Sequence, residues 1–145
     1  MNSQLTAADL GIDPSTDQGM FDWLLASMLF GRPVQQRTAA SAYAKFKADG
    51  WDTPEHFVAD DDHPLWHELW EGGYHRLSSV MVGELRDAMR ALIDDWGGSV
   101  ARLVRTSSSR QEVSARLQAF KGVGPKTAEI FLREIPDEAV GSAAS

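Results

Sequence analysis

The sequence predicts an all-α fold in a single domain. Three observations carry that prediction. Apolar residues recur at separations of three and four from end to end, no stretch alternates with β-branched enrichment, and 145 residues hold one proper core but not two. With 43% hydrophobic and 24% charged residues, the composition is that of a globular domain rather than a disordered chain.

Each element follows from its own pattern. In DQGMFDWLLASMLFG, Met20, Phe21, Trp23, Leu24, Leu25, Met28, Leu29 and Phe30 cover nearly the whole helix circumference, so this helix belongs in the middle of the domain. Gly31 and Pro33 end it, and VQQRTAASAYAKFKADG supplies the next helix, stopping at Gly50. Thr53 and Pro54 suit an N-cap and a first helical position, and HPLWHELWEGG is a short helix closed by a glycine pair. Leu77, Val80, Met81, Leu85, Ala88, Met89, Leu92, Ile93 and Trp96 form one stripe on a long helix that ends at Gly97 and Gly98. SVARLVRTS is a further short helix, and Ser109 with Glu112 has capping-box spacing at the head of SRQEVSARLQAF. The last helix, PKTAEIFLRE, begins at Pro125 and is stopped by Pro136. The expected organisation is an N-terminal segment over 1–16, a helical domain over 17–135 with a hairpin at 109–134, and a flexible small-residue tail over 136–145.

The chain has no cysteine, which excludes disulfides, thiolate zinc sites, cysteine nucleophiles and cysteine-ligated iron–sulfur clusters. The start, MNSQLTAADL, has neither a basic nor an apolar leader region, and no segment reaches the ~20 consecutive apolar residues of a membrane span. The expected location is the cytoplasm, with no membrane partner. A net charge of -7 argues against indiscriminate coating of polyanions. The charge is unevenly spread, however. Residues 1–71 carry four basic against twelve acidic side chains, whereas residues 100–128 carry six basic (Arg102, Arg105, Arg110, Arg116, Lys121, Lys126) against Glu112 alone. This basic stretch hints at an anionic partner.

That stretch contains FKGVGPKTAEIFL, a helix, a four-residue turn and a second helix. Gly122 and Gly124 flank Val123 where the chain reverses, and Pro125 opens the second helix, whose unpaired N–H groups and dipole favour a phosphate. A nucleotide P-loop does not fit. Pro125 separates Gly124 from Lys126, and no strand precedes.

The residues LQAFKGVGPKTAEIFL resemble the helix-hairpin-helix element of endonuclease III-type DNA glycosylases, the HhH-GPD superfamily. FDWLLASMLFGRPVQQRTAASAYAKF is similar to the start of that family's six-helix barrel, and LWEGGYHRLSSVMVGELRDAMRALIDDWGG to the region after it, where a Gly-Tyr loop precedes a long helix. The similarity runs from about Phe21 to Glu134. It implies a helical bundle of the six-helix-barrel type and a DNA-binding protein of base-excision repair, acting on duplex DNA, intact or damaged.

Carried over residue by residue, the resemblance puts a DNA phosphate on the backbone N–H groups of Gly122, Val123 and Gly124, beside Lys121, Lys126 and Thr127, without sequence readout. It places Arg32 where the family reaches into the DNA helix and Gly73, Tyr74 and His75 on the other insertion loop, although Gly73 has no side chain to insert. Lys126 matches the nucleophile of the bifunctional members. There a neutral amine attacks C1′ of a damaged nucleoside or abasic aldehyde, forms a Schiff base and permits β-elimination. The family's assisting aspartate falls here on Ala144 or its neighbours, leaving Asp137, much earlier in the chain, as the candidate to replace it. The four-cysteine cluster is absent, and no cofactor or metal is expected.

The first expectation is therefore non-specific binding to the DNA backbone. The alternative is a DNA glycosylase or abasic-site lyase using Lys126, and a third possibility is an acidic helical interaction module. His63 and His67, near Asp60, Asp61, Asp62 and Glu68, have metal-like spacing, but Pro64 argues for His63 outside the helix and the aspartates read as caps. Trp66, Trp70 and Trp96 read as core rather than base-stacking residues. Arg102, Arg105, Arg110 and Arg116 fit phosphate contacts and a solvated face equally well.

Overall fold

The structure, a computed structural model, describes residues 5–59 and 63–142. Among them lie eight α-helices: α1 Asp17–Phe30, α2 Gln36–Ala48, α3 Pro54–Phe57, α4 His63–Glu71, α5 Ser78–Trp96, α6 Val100–Arg105, α7 Arg110–Gln118 and α8 Pro125–Glu134. No described residue is in a strand, and the all-α expectation holds. Buried apolar residues from Ala7 to Ile135 form one core.

Helix α1 is the axis of the molecule. Thr16 Oγ1 accepts the Gly19 N–H at 2.9 Å to cap it, and every residue from Gly19 to Phe30 is buried. Helices α2, α6 and α8 pack around it, as a helix apolar on all sides requires. Helix α5 turns Met81, Leu85, Met89 and Leu92 inward, while Val80 lies off that face and is 54% exposed. Two successive left-handed glycines end α5, and the Gly98 N–H returns to the Leu92 carbonyl at 3.0 Å.

Side chains cap the starts of two of the remaining helices, Ser99 on α6 and Ser109 on α7. Ser109 Oγ accepts the Glu112 N–H at 3.1 Å, but the Glu112 carboxylate takes the N–H of Ser108 at 2.5 Å, one residue earlier than a capping box requires. That bond holds the Glu112 carboxyl below its ordinary pKa. Thr53 has the extended backbone of an N-cap, yet its side chain accepts nothing from α3. His63 lies inside α4 rather than before it. Pro64 is tolerated there because the N–H it lacks has no intrahelical partner in the first turn. Between α2 and α4, Glu68 meets Lys45 at 3.3 Å while its Oε1 is buried without a hydrogen bond. Burial, and then Asp49, push its pKa up.

The chain ends fold onto this frame. Ala7 and Ile12 are buried, and the Ala7 N–H reaches Glu134 Oε1 at 3.4 Å. Beyond Pro136, Asp137–Ala139 forms a 3-10 turn, Val140 packs against the core, and the Gly141 N–H approaches the Val104 carbonyl at 3.4 Å. Of the expected tail, residues 143–145, with Ala144, lie outside the described residues. Among the described residues no helix is long and apolar enough to cross a membrane.

Candidate nucleic-acid interface

Helices α7 and α8 form the hairpin expected over 109–134. Val123 is buried at its tip, and its N–H returns to the Phe120 carbonyl at 3.1 Å, closing the turn. The two ends of α8 are treated differently. At the C-terminal end, Trp23 Nε1 on α1 donates to the Phe131 carbonyl at 3.0 Å. The Arg110 guanidinium on α7 donates to the carbonyls of Leu132 and Ile135. These carbonyls belong to the helix end that lacks intrahelical donors.

The N-terminal end of α8 is open. Gly124 stands at the N-cap with no side-chain acceptor, and Pro125 takes the first position. The N–H groups that start α8 therefore face outward with the positive end of the helix dipole. They open into a shallow cleft of about 410 Å³, lined by Gly31, Arg32, Glu84, Gly122, Val123, Gly124, Pro125, Lys126 and Thr127. Arg32 and Lys126 also line an adjoining cleft of about 450 Å³ with Phe30, Val34, Glu129, Ile130 and Arg133.

The two elements meet here because glycine allows close approach. A Cβ on Gly31 would lie 2.2 Å from Thr127 Oγ1, so only glycine lets the end of α1 touch the first turn of α8. Gly122 has φ +85, and a Cβ there would lie 2.6 Å from Glu84 Cβ on α5. Glu84 in turn forms an ion pair with Arg32, in which both side chains are mostly shielded. Arg32 is among the residues that the resemblance singled out. Glu84 is not, because on α5 it reads as one polar residue outside the apolar stripe.

His75 lies on a neighbouring loop. Gly73 there packs against Thr38, and the Tyr74 hydroxyl donates to the Leu29 carbonyl at 2.8 Å, tying the loop to the end of α1. Burial pushes the Tyr74 phenol up from its ordinary pKa. His75 is exposed and has φ 45, the one positive value at a described residue other than glycine. Its ring stands edge-on to Trp70 at 5.0 Å, and Trp70 stacks on Trp66 at 5.2 Å. Trp66 packs against the core, but Trp70 is 43% exposed and is not a core residue.

The basic stretch is largely spent within the fold. Arg105 pairs with Asp17 at 2.8 Å and Arg110 with Asp137 at 3.1 Å. Arg116 lies 4.7 Å over the Trp96 ring and donates to Ser107 at 2.9 Å, while Lys121 meets Asp87 at 3.5 Å. Among the described residues, Arg102 and Lys126 have no carboxylate within ion-pair distance, and Lys126 is exposed. Asp137 is at the other end of α8 from Lys126, about 15 Å along a ten-residue helix. It does not serve Lys126 as a base. Among the described residues no cluster of three or more metal-ligating side chains occurs, and Asp60, Asp61 and Asp62 lie outside them. Neither a protein-family model nor a curated protein matches the chain.

Proposed function

We propose that the protein binds the sugar-phosphate backbone of duplex DNA through the α7–α8 hairpin, as its resemblance to the HhH-GPD superfamily implies. The observation that carries this reading is the uncapped start of α8. It opens into one cleft with Arg32 and Lys126, so N–H donors, a helix dipole and two cations line it, with the Glu84 carboxylate paired to Arg32. Such contacts position a duplex without reading bases. Titration of a fluorescent duplex is expected to show binding at low salt that weakens steadily as salt rises, by about 0.9 in log–log slope per phosphate contacted. No binding at low salt removes the proposal.

A second reading rests on Lys126 itself, an exposed amine unpaired among the described residues, on the wall of the larger cleft. In an abasic-site lyase this amine attacks the open-chain aldehyde at C1′, loses water to form the Schiff base and permits β-elimination of the 3′ phosphate. Glu129 shares that cleft and is the candidate base in place of Asp137. Borohydride reduction with an abasic oligonucleotide is the test. A covalent adduct lost in Lys126→Ala supports the lyase, and the absence of any adduct confines the protein to binding.

A further inference from the structure

Glu84 puts a carboxylate in the cleft that the hairpin opens toward phosphate. Its stem lies along Gly122, within about 3 Å of where a Cβ would stand, and its carboxylate holds the Arg32 guanidinium. The two partners differ in freedom. Glu84 is on the middle of α5, next to the fully buried Leu85, whereas Arg32 is on the loop between α1 and α2. If the pair parts, Arg32 is the residue that moves.

We infer that Glu84 is an acidic latch on the hairpin: it neutralises Arg32 in the free protein, and a bound backbone phosphate takes Arg32 from it. This rests on the backbone-binding reading above and adds the residue that sets its affinity. The exchange is chemically matched, because carboxylate and phosphate are both oxygen acceptors for a guanidinium fork. Arg32 is thus paired in either state. Glu84 gives up its ion pair and is left facing a second anion, and the lost pair together with that like-charge contact is the cost of binding. Acting through Arg32, Glu84 is a positioning residue. It favours a densely charged polyanion over isolated anions, since a single weak anion does not offset the repulsion.

The test compares the native chain, Glu84→Gln, Arg32→Ala and the double variant by fluorescence anisotropy on one duplex across a salt series, with thermal melts to confirm folding. Glu84→Gln is expected to bind about tenfold more tightly at low salt, with the log–log salt slope of the native chain, because Arg32 meets the same phosphate in both. That gain is expected to shrink in the Arg32→Ala background. A gain of equal size there reduces Glu84 to a bystander charge and overturns the latch. Unchanged or weaker binding by Glu84→Gln, with the native chain binding, overturns the latch and leaves the backbone-binding reading standing. No binding by either overturns both. If Glu84→Gln fails to fold, Arg32→Ala alone decides: a shallower slope supports the exchange, and an unchanged slope overturns it.

Discussion

Gly124→Asp is expected to lose duplex DNA binding while keeping, or slightly raising, its melting temperature. The two effects part because of where Gly124 sits. Its backbone, at φ -99 and ψ -175, is open to any residue, and an added Cβ meets nothing within 4 Å. Aspartate at an N-cap accepts the orphan N–H groups of the first turn and complements the dipole, worth a few tenths to about 1 kcal/mol. The same carboxylate takes the donors that the proposed phosphate needs and repels it. Losing a charge-assisted hydrogen bond of roughly 1.5–3 kcal/mol lowers affinity about tenfold to a hundredfold. Anisotropy titration with a thermal melt checks both halves. Unchanged affinity in a folded variant means the hairpin is not the DNA contact.

Trp23→Ala is expected to produce the largest loss of stability. Trp23 is fully buried on α1, the helix around which the others pack, and its indole N–H satisfies the Phe131 carbonyl at the end of α8. Truncation removes its packing at about 3–5 kcal/mol, a large share of the ~5–15 kcal/mol that holds a domain together. Trp23→Phe separates the two contributions. It keeps much of the ring and leaves the carbonyl unpartnered, at about 1–3 kcal/mol. Urea denaturation measures both, and a loss under 1 kcal/mol in Trp23→Ala contradicts the placement of α1 at the centre.

Helical periodicity was the dependable signal. The all-round apolar pattern of residues 20–30 put α1 in the interior, and the stripe on α5 found its buried face. Glycine and proline marked the ends of α1, α5 and α8. Aromatic spacing was a poorer guide. Trp66 and Trp70 share one helical spacing, yet Trp66 packs against the core while Trp70 stands in solvent beside His75. Burial depends on what covers a side chain, and no local pattern records that.

Charge was the least legible. Six basic residues over 100–128 read as a positive field, but Arg105, Arg110 and Lys121 face carboxylates brought to them by folding, and Arg116 pairs with Glu112 on its own helix. Arg110 finds Asp137 and Arg105 finds Asp17 across long stretches of chain. The sequence by itself determined the helices, their order and the hairpin turn, because propensity, capping and glycine conformations act over a few residues. Only the tertiary structure decided which cations remain free and that Glu84 stands against Gly122 with Arg32 in hand. Ion pairs form between residues close in space, and that proximity exists only once the helices have packed.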